Sequence, residues 1–282
     1  MDAKTDIGTP RASARLRRYG PVAVITGASD GIGRAMALDL AGDGFGLVLA
    51  ARRRDRLEAV AAEAEKRSGL TPVVVAGDLG TDAGIEALVA ATSALDVGLL
   101  VCAAGFGTSG PFHAADSGNE RDMLRLNCES AMLTTHHFTR RFIARGKGGI
   151  VLMSSLVAFQ GVPRAAHYAA TKAYIQTLAE GLRRELAPLG VDVVASAPGP
   201  VSTGFAARAA MTMGSAEKPE VVARQTLAAL GRKTTVRPGF LAKLLEASLA
   251  PLPRGGRVRI MELVMRGMTT GQGHGQETSR RS

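Results

Sequence analysis

The sequence predicts an α/β fold: a single domain built on a doubly wound parallel sheet with helices on both faces. Three observations lead there. From Val22 onward, short and wholly apolar runs alternate with longer amphipathic stretches, the pattern of parallel strands buried on both sides. A turn with glycines at 27, 31 and 33 separates the first apolar run from the first amphipathic stretch, as in Rossmann-type sheets. No Pro/Gly/Ser linker and no internal repeat divides the region.

The elements follow in order. Expected strands are Val22–Thr26, Gly46–Ala51, Pro72–Gly77, Val97–Cys102, Gly149–Met153 and Val191–Ser196, with a shorter seventh at Thr234–Arg237. Expected helices are Gly31–Gly44, Arg54–Ser68, Asp82–Ala94, Asn119–Arg145, Ala165–Leu189 and Lys218–Gly231. Residues 1–20 read as a flexible basic arm and 21–238 as the sheet domain. Residues 239–268 form a helical extension and 269–282 a flexible tail.

Composition narrows the function. The 282 residues are 46% hydrophobic and 21% charged, a globular balance. No apolar run is long enough to span a membrane, and the polar first twenty residues do not resemble a secretory signal. Cys102 and Cys128 lie in apolar surroundings and read as reduced core thiols, which suggests a cytoplasmic protein. The five histidines show no metal-binding spacing, so no metal is expected. The net charge of +10 divides into +3 on residues 1–20 and +7 on residues 232–282, leaving the middle neutral. A nucleic-acid partner is therefore not expected, because such a partner calls for charge at the working face.

The glycine-rich turn Thr26-Gly27-Ala28-Ser29-Asp30-Gly31-Ile32-Gly33 suits a dinucleotide. Without Cβ atoms the backbone can approach a pyrophosphate, and the helix N-terminus offers unpaired N–H groups. The second strand ends in Arg52 and Arg53 where a 2′-hydroxyl reader would be acidic. Guanidinium groups there favour a 2′-phosphate, so NADPH is expected over NADH, with Arg52 the main contact. Asp78, after the third strand, suits either the adenine end or a helix N-cap.

Tyr168 and Lys172 stand four residues apart, with Ser155 thirteen residues before the tyrosine. On a helix, the phenol and ammonium share a face. A cation nearby favours the phenolate and so eases proton transfer near neutral pH. Ser155, on a separate strand end, can hold a carbonyl oxygen.

In these residues the chain resembles the classical short-chain dehydrogenases/reductases. The resemblance runs from about Val22 to Gly231. It rests on Thr26-Gly27-x-x-x-Gly31-Ile32-Gly33, Asp78-Leu79, Ala104-Gly105, Asn127, Ser155, Tyr168-x-x-x-Lys172 and Pro198-Gly199-Pro200-Val201-Ser202-Thr203. It implies that Tyr168 is the general acid in reduction and that Lys172 holds the nicotinamide ribose and lowers the tyrosine pKa. Ser155 positions the substrate oxygen, and Asn127 supports a water in a proton relay. Pro198, Gly199, Val201 and Thr203 cradle the nicotinamide. The resemblance also implies a homodimer or homotetramer through the two long helices. One departure stands out: Cys102-Ala103-Ala104-Gly105 replaces the usual Asn-Asn-Ala-Gly.

Three segments should line the substrate pocket: Phe106–Asp116, Leu156–His167 and Phe205–Met213. They bring Phe106, Phe112, Leu156, Val157, Phe159, Val162, Phe205, Met211 and Met213, a wall suited to a lipophilic carbonyl or alcohol. Arg164 is the cation that could meet an acidic group. The extension carries Leu241, Leu244, Leu245 and Leu249 at helical spacing, then apolar residues mixed with Arg257, Arg259 and Arg266. It reads as a cover over the pocket, a contact with another subunit, or a peripheral membrane contact. The leading expectation is an NADPH-dependent ketone or aldehyde reductase. A 3-oxoacyl-thioester reductase, a hydroxysteroid-type dehydrogenase working oxidatively, and a non-catalytic NADP(H) sensor are the alternatives.

Overall fold

The computed structural model describes residues 13–209, 216–249 and 251–269. Seven parallel strands form one sheet in the order β3-β2-β1-β4-β5-β6-β7. They are β1 Val22–Thr26, β2 Gly46–Ala51, β3 Val73–Ala76, β4 Val97–Cys102, β5 Gly148–Met153, β6 Val191–Ser196 and β7 Thr235–Val236. Each expected strand is present to within a residue or so at its ends.

Side chains alternate between two buried clusters along each strand, as the pleat requires. Ile25, Leu99 and Val101 face one cluster, and Val24, Leu100 and Cys102 face the other. The first cluster is covered by α2 Gly31–Gly42, α3 Arg54–Ser68 and α9 Pro219–Ala229. The second is covered by α4 Asp82–Thr92, α6 Ala131–Arg145 and α7 Ala166–Leu186. Helices on both faces are what made the strands apolar along their whole length.

The structure corrects the expected flexible arm. Ala14–Tyr19 is a helix, α1, capped by the Ser13 hydroxyl, which accepts from the Leu16 N–H at 3.0 Å. Tyr19 is buried, and its hydroxyl donates to Asp192 Oδ2 at 2.8 Å. Arg15 pairs with Asp39 and Asp43, and Arg18 pairs with Asp192. Basic residues that looked like a solvated run are the ties that dock this helix. The remainder of the arm (1–12), the tail from 270 onward, Met211 and Met213 lie outside the described residues.

The long helix expected over Asn119–Arg145 is interrupted. It begins as α5 Ser117–Leu124, passes through a π-helical segment at Arg125–Ser130, and resumes as α6. Inserted π turns re-aim side chains and often mark functional sites; here the turn contains Asn127. The extension forms α10 Phe240–Leu249 and α11 Arg254–Thr269. No helix among the described residues is long and apolar enough to cross a membrane.

Candidate active site

Strand order reverses between β1 and β4, and the crevice at the carboxyl ends of such strands is where α/β sheets bind ligands. A cavity of about 510 Å3 opens there. One end is lined by the glycine-rich turn, the other by apolar side chains from four separate segments.

The nucleotide end is shaped by backbone. Gly27 has φ +67°, and a Cβ on it would lie 2.7 Å from the Ala104 nitrogen. A Cβ on Gly33 would lie 2.3 Å from the Gly27 carbonyl oxygen, so only glycine lets α2 pack this closely on β1. Asp30 caps α2, its Oδ1 accepting from the Gly31 N–H at 2.7 Å. Ser29, Gly31, Ile32, Arg52, Arg53, Asp78, Leu79, Ala104, Gly105, Pro198, Gly199, Val201 and Thr203 all line the same cavity. Asp78 does not cap α4; Thr81 does, accepting from Gly84 N–H at 3.2 Å. Asp78 instead accepts from Gly80 N–H at 2.9 Å and shapes the turn at the rim.

At the position of the missing amides the backbone is held by a hydroxyl. Thr26 Oγ1 accepts from the N–H groups of both Ala103 and Ala104 at 3.1 Å. It thereby ties the end of β1 to the end of β4. Cys102 turns away from the cavity, its sulfur 3.6 Å from Thr134 Oγ1. Burial raises its thiol pKa, and Cys128 is likewise raised to about 11. Both therefore remain protonated thiols at neutral pH.

Ser155, Tyr168 and Lys172 meet at the cavity floor. Ser155 sits just past β5 and caps a short 3-10 turn, Leu156–Phe159. Tyr168 and Lys172 share the inner face of α7 and are both buried. Ser154, next to Ser155, is committed to structure: its hydroxyl donates to the Lys172 carbonyl at 3.1 Å. Asn127 lies behind the floor, 2% exposed. It donates to the Phe106 carbonyl (2.8 Å) and to Thr171 Oγ1 (3.0 Å), and accepts from the Phe106 N–H (3.0 Å). In this protein Asn127 grips the backbone of the pocket wall. It is not among the residues lining the cavity.

The electrostatics differ from the expectation of an acidified tyrosine. Burial pushes Tyr168 up to about 12, with a hydrogen bond from Ser155 acting the other way. Burial also pulls Lys172 down to about 8. The ammonium stands 5.8 Å from the centre of the Tyr168 ring and donates to the Met153 carbonyl at 2.9 Å. Sharing a helix face brought the two side chains together but left the cation over the ring instead of on the hydroxyl, so desolvation prevails.

On the substrate side, Phe106, Leu156, Val157 and Phe205 line the cavity, with the Phe205 ring 5.4 Å from that of Tyr168. Three expected wall residues do not: Phe112, Phe159 and Val162, the last buried against Met261 and Met265. Phe112 is 69% exposed, because the loop turns outward at Gly110, whose N–H bonds the Arg164 carbonyl at 2.8 Å. Phe159 packs under the Arg237 guanidinium, 4.3 Å from its ring centre, and is not in the lining. Arg164 is absent from the lining too. Their place is taken by Met261, Val264, Met265 and Met268 of α11. Met261 and Met265 are buried against Val162, Ala165, Ala169 and Leu249. Of the readings of the extension, the cover over the pocket matches this packing. The signal for these four positions was present in the sequence as apolar spacing, but nothing local tied it to the cavity.

A family model described as short chain dehydrogenase matches residues 21–213, more than half of the chain. The chain belongs to this family. A short-chain dehydrogenase is an oxidoreductase, and the sheet order and the Ser155, Tyr168 and Lys172 cluster agree with that assignment. A 7beta-hydroxysteroid dehydrogenase of Clostridium sardiniense is 31% identical over 228 residues, covering 79% of this chain and 87% of that protein. A very-long-chain 3-oxoacyl-CoA reductase of Podospora anserina is 38% identical over 186 residues, covering 63% of this chain. The match spans only 55% of that longer relative. Among solved structures, a 7beta-hydroxysteroid dehydrogenase superposes with TM-score 0.81 at 25% identity, covering 87% of this chain and 98% of the other. A short-chain dehydrogenase from Sphingobium yanoikuyae in complex with NADPH superposes with TM-score 0.74 at 28% identity, covering 82% and 94%.

The residues present fit a dinucleotide. The glycine cradle would be filled by any Cβ, the start of α2 faces the cavity, and Arg52 and Arg53 supply cations at the end of β2.

Proposed function

We propose that this chain is an NADP(H)-dependent reductase of a large lipophilic ketone or aldehyde. One observation carries the reading. A protonated, buried Tyr168 stands with Ser155 and Lys172 on the floor of a cavity that runs from the glycine cradle to a methionine-lined cover. Gly27, Gly31 and Gly33 would leave room for the pyrophosphate, Arg52 and Arg53 would meet the 2′-phosphate, and Pro198 to Thr203 would border the nicotinamide end. When bound, the reduced nicotinamide supplies the hydride. Ser155 donates a hydrogen bond to the carbonyl oxygen, and Tyr168 gives that oxygen its proton. With its pKa near 12, the tyrosine is an acid at neutral pH, which suits reduction; oxidation needs the phenolate and therefore higher pH. Lys172, near 8, carries its charge at neutral pH and would hold the nicotinamide ribose. The apolar cover of α11 excludes water from the transfer.

The relatives support two substrate classes within this reading, a hydroxysteroid-type ketone and a 3-oxoacyl thioester. The apolar wall and the wider coverage of the first relative favour the polycyclic ketone. The test is NADPH consumption against a panel of polycyclic ketones and 3-oxoacyl thioesters, with Tyr168→Phe alongside. Loss of roughly 10²- to 10⁴-fold in kcat with cofactor binding retained is the expected result. A Tyr168→Phe variant that turns over within threefold of the wild type would sink the mechanism.

A further inference from the structure

The segment after β6 carries a cation that the sequence motifs did not point to. Arg208 ends the short helix α8, Phe205–Arg208, and lines the cavity while remaining exposed, which places it at the rim. Its guanidinium lies over the Phe106 ring, 3.9 Å from the centre. Phe106 is buried in one cluster with Tyr168, and Phe205 packs against that cluster. The Phe205 ring, one turn before Arg208, lies 5.4 Å from the Tyr168 ring. Arg208 therefore borders the substrate end of the cavity, on the same patch of wall as the proton donor.

The wall holds this cation in place. Asn127 accepts from the Phe106 N–H and donates to the Phe106 carbonyl, which fixes the supporting ring. The Ser109 hydroxyl donates to the Ala209 carbonyl at 2.6 Å and ties down the end of α8. A guanidinium stacked on an aromatic face leaves its in-plane N–H groups to other partners. Arg208 has no ion pair and no side-chain hydrogen bond among the described residues. The other cations in the lining are placed elsewhere. Lys172 donates to the Met153 carbonyl, Arg53 lies 3.8 Å from the Asp30 carboxylate, and Arg52 follows β2 at the nucleotide end. Arg164, which the sequence offered as the partner for an acidic group, is absent from the lining.

The remaining surface near Arg208 is apolar, from Phe106, Val157 and Phe205 to the methionines of α11. Beside such walls a charge attracts its opposite more strongly than it does in open water. A carboxylate matches the guanidinium fork with two parallel hydrogen bonds and cancels its single charge. A phosphate monoester would bring a second charge that no second cation meets at this end.

We infer that Arg208 receives a carboxylate of the ketone substrate, at a point remote from the carbonyl that Ser155 and Tyr168 address. Arg208 is then a specificity-determining residue, and the preferred substrate is an acidic lipophilic ketone. The inference rests on the reductase reading and narrows its substrate class.

A polycyclic ketone with a carboxylate-ended side chain, compared with its methyl ester, tests it on wild type, Arg208→Gln and Arg208→Lys. Turnover with NADPH is measured, and both ligands are also titrated by calorimetry into enzyme saturated with NADP+, where no hydride is available. In Arg208→Gln, the KM and Kd of the acid are expected to rise on the order of tenfold, the lower end for a charged hydrogen bond because the rim is exposed. The ester should change less than twofold, kcat and NADPH affinity should hold, and Arg208→Lys should recover part of the loss. Arg208→Lys also keeps the charge test open if Arg208→Gln melts early. An equal loss for acid and ester would make Arg208 a prop for Phe106 and overturn the inference. A tenfold loss of NADPH affinity would assign Arg208 to the cofactor and overturn it too. A wild type that reduces no ketone sinks the reductase reading and this inference with it. Turnover by a wild type that treats acid and ester alike sinks the inference alone.

Discussion

Gly27, Gly31 and Gly33 reach one end of the cavity from a single turn, whereas the other end collects Phe106, Leu156, Phe205 and Met265 from four distant segments. At the first end the deciding atoms are backbone. A Cβ on Gly33 would meet the Gly27 carbonyl oxygen, and the hydrogen bonds that shape the turn run between neighbours such as Asp30 and Gly31. At the second end the deciding contacts are between side chains whose meeting depends on how α8 (Phe205–Arg208) packs on Tyr168 and how α11 packs on the start of α7. The contrast shows why one end is tied to a fixed ligand and the other is free to vary. A backbone cradle tolerates no substitution without moving strand and helix apart, while a wall of methionines adapts to changes of a methylene or two.

The strongest way to break the comparison is Gly33→Ala. The added methyl meets backbone, so α2 must withdraw from β1. NADPH affinity is expected to fall by at least about 100-fold in fluorescence titration, since the phosphates lose the helix N-terminus. Affinity within threefold of wild type would show that the cradle is not rigid.

A second test addresses the seam where the two ends meet. Lys172 loses its proton near pH 8 in the folded chain and near 10.5 when unfolded. Between those values the unfolded state binds more protons, so this group makes stability rise with pH. The buried thiols of Cys102 and Cys128 act in the opposite sense from about pH 9, so the comparison must be with Lys172→Met, which keeps them. In urea denaturation between pH 7.5 and 9.5, the wild type should gain on the order of 2 kcal/mol relative to the variant. Parallel curves for the two proteins would mean that Lys172 is charged and solvated in the fold.

The smallest effect is expected on the wall. Met268→Ala shortens a partly buried side chain of α11. The lost apolar contact is worth about 1 kcal/mol, so KM for a bulky ketone should rise roughly fivefold while NADPH affinity holds. A KM change shared equally by a small ketone such as acetone would show that α11 acts on the fold and not on the substrate.

The sequence was most legible where chemistry is local. The seven strands were visible because burial on both faces demands continuous apolar runs. The glycine turn, Arg52, Ser155, Tyr168 and Lys172 were visible because strand ends and helix spacing determine where they stand. Helix α1 was missed because its ties are long-range: Arg18 and Tyr19 meet Asp192, far along the chain. The π turn at Asn127 was missed because one extra residue per turn leaves no periodic trace in so short a segment. Phe112 and Phe159 were misplaced because an aromatic residue in a loop does not reveal which way the loop turns.

The order of elements, the glycine cradle and the shared helix face of Tyr168 and Lys172 were therefore set by the chain itself, since each depends on residues near in sequence or on a strand's two-faced burial. Tertiary structure alone decided that Thr26 ties the end of β1 to the end of β4, that Lys172 stands over the tyrosine ring, and that α11 lines the cavity. Each of these is a contact between segments distant in sequence, and its geometry is determined by packing, which no local pattern encodes.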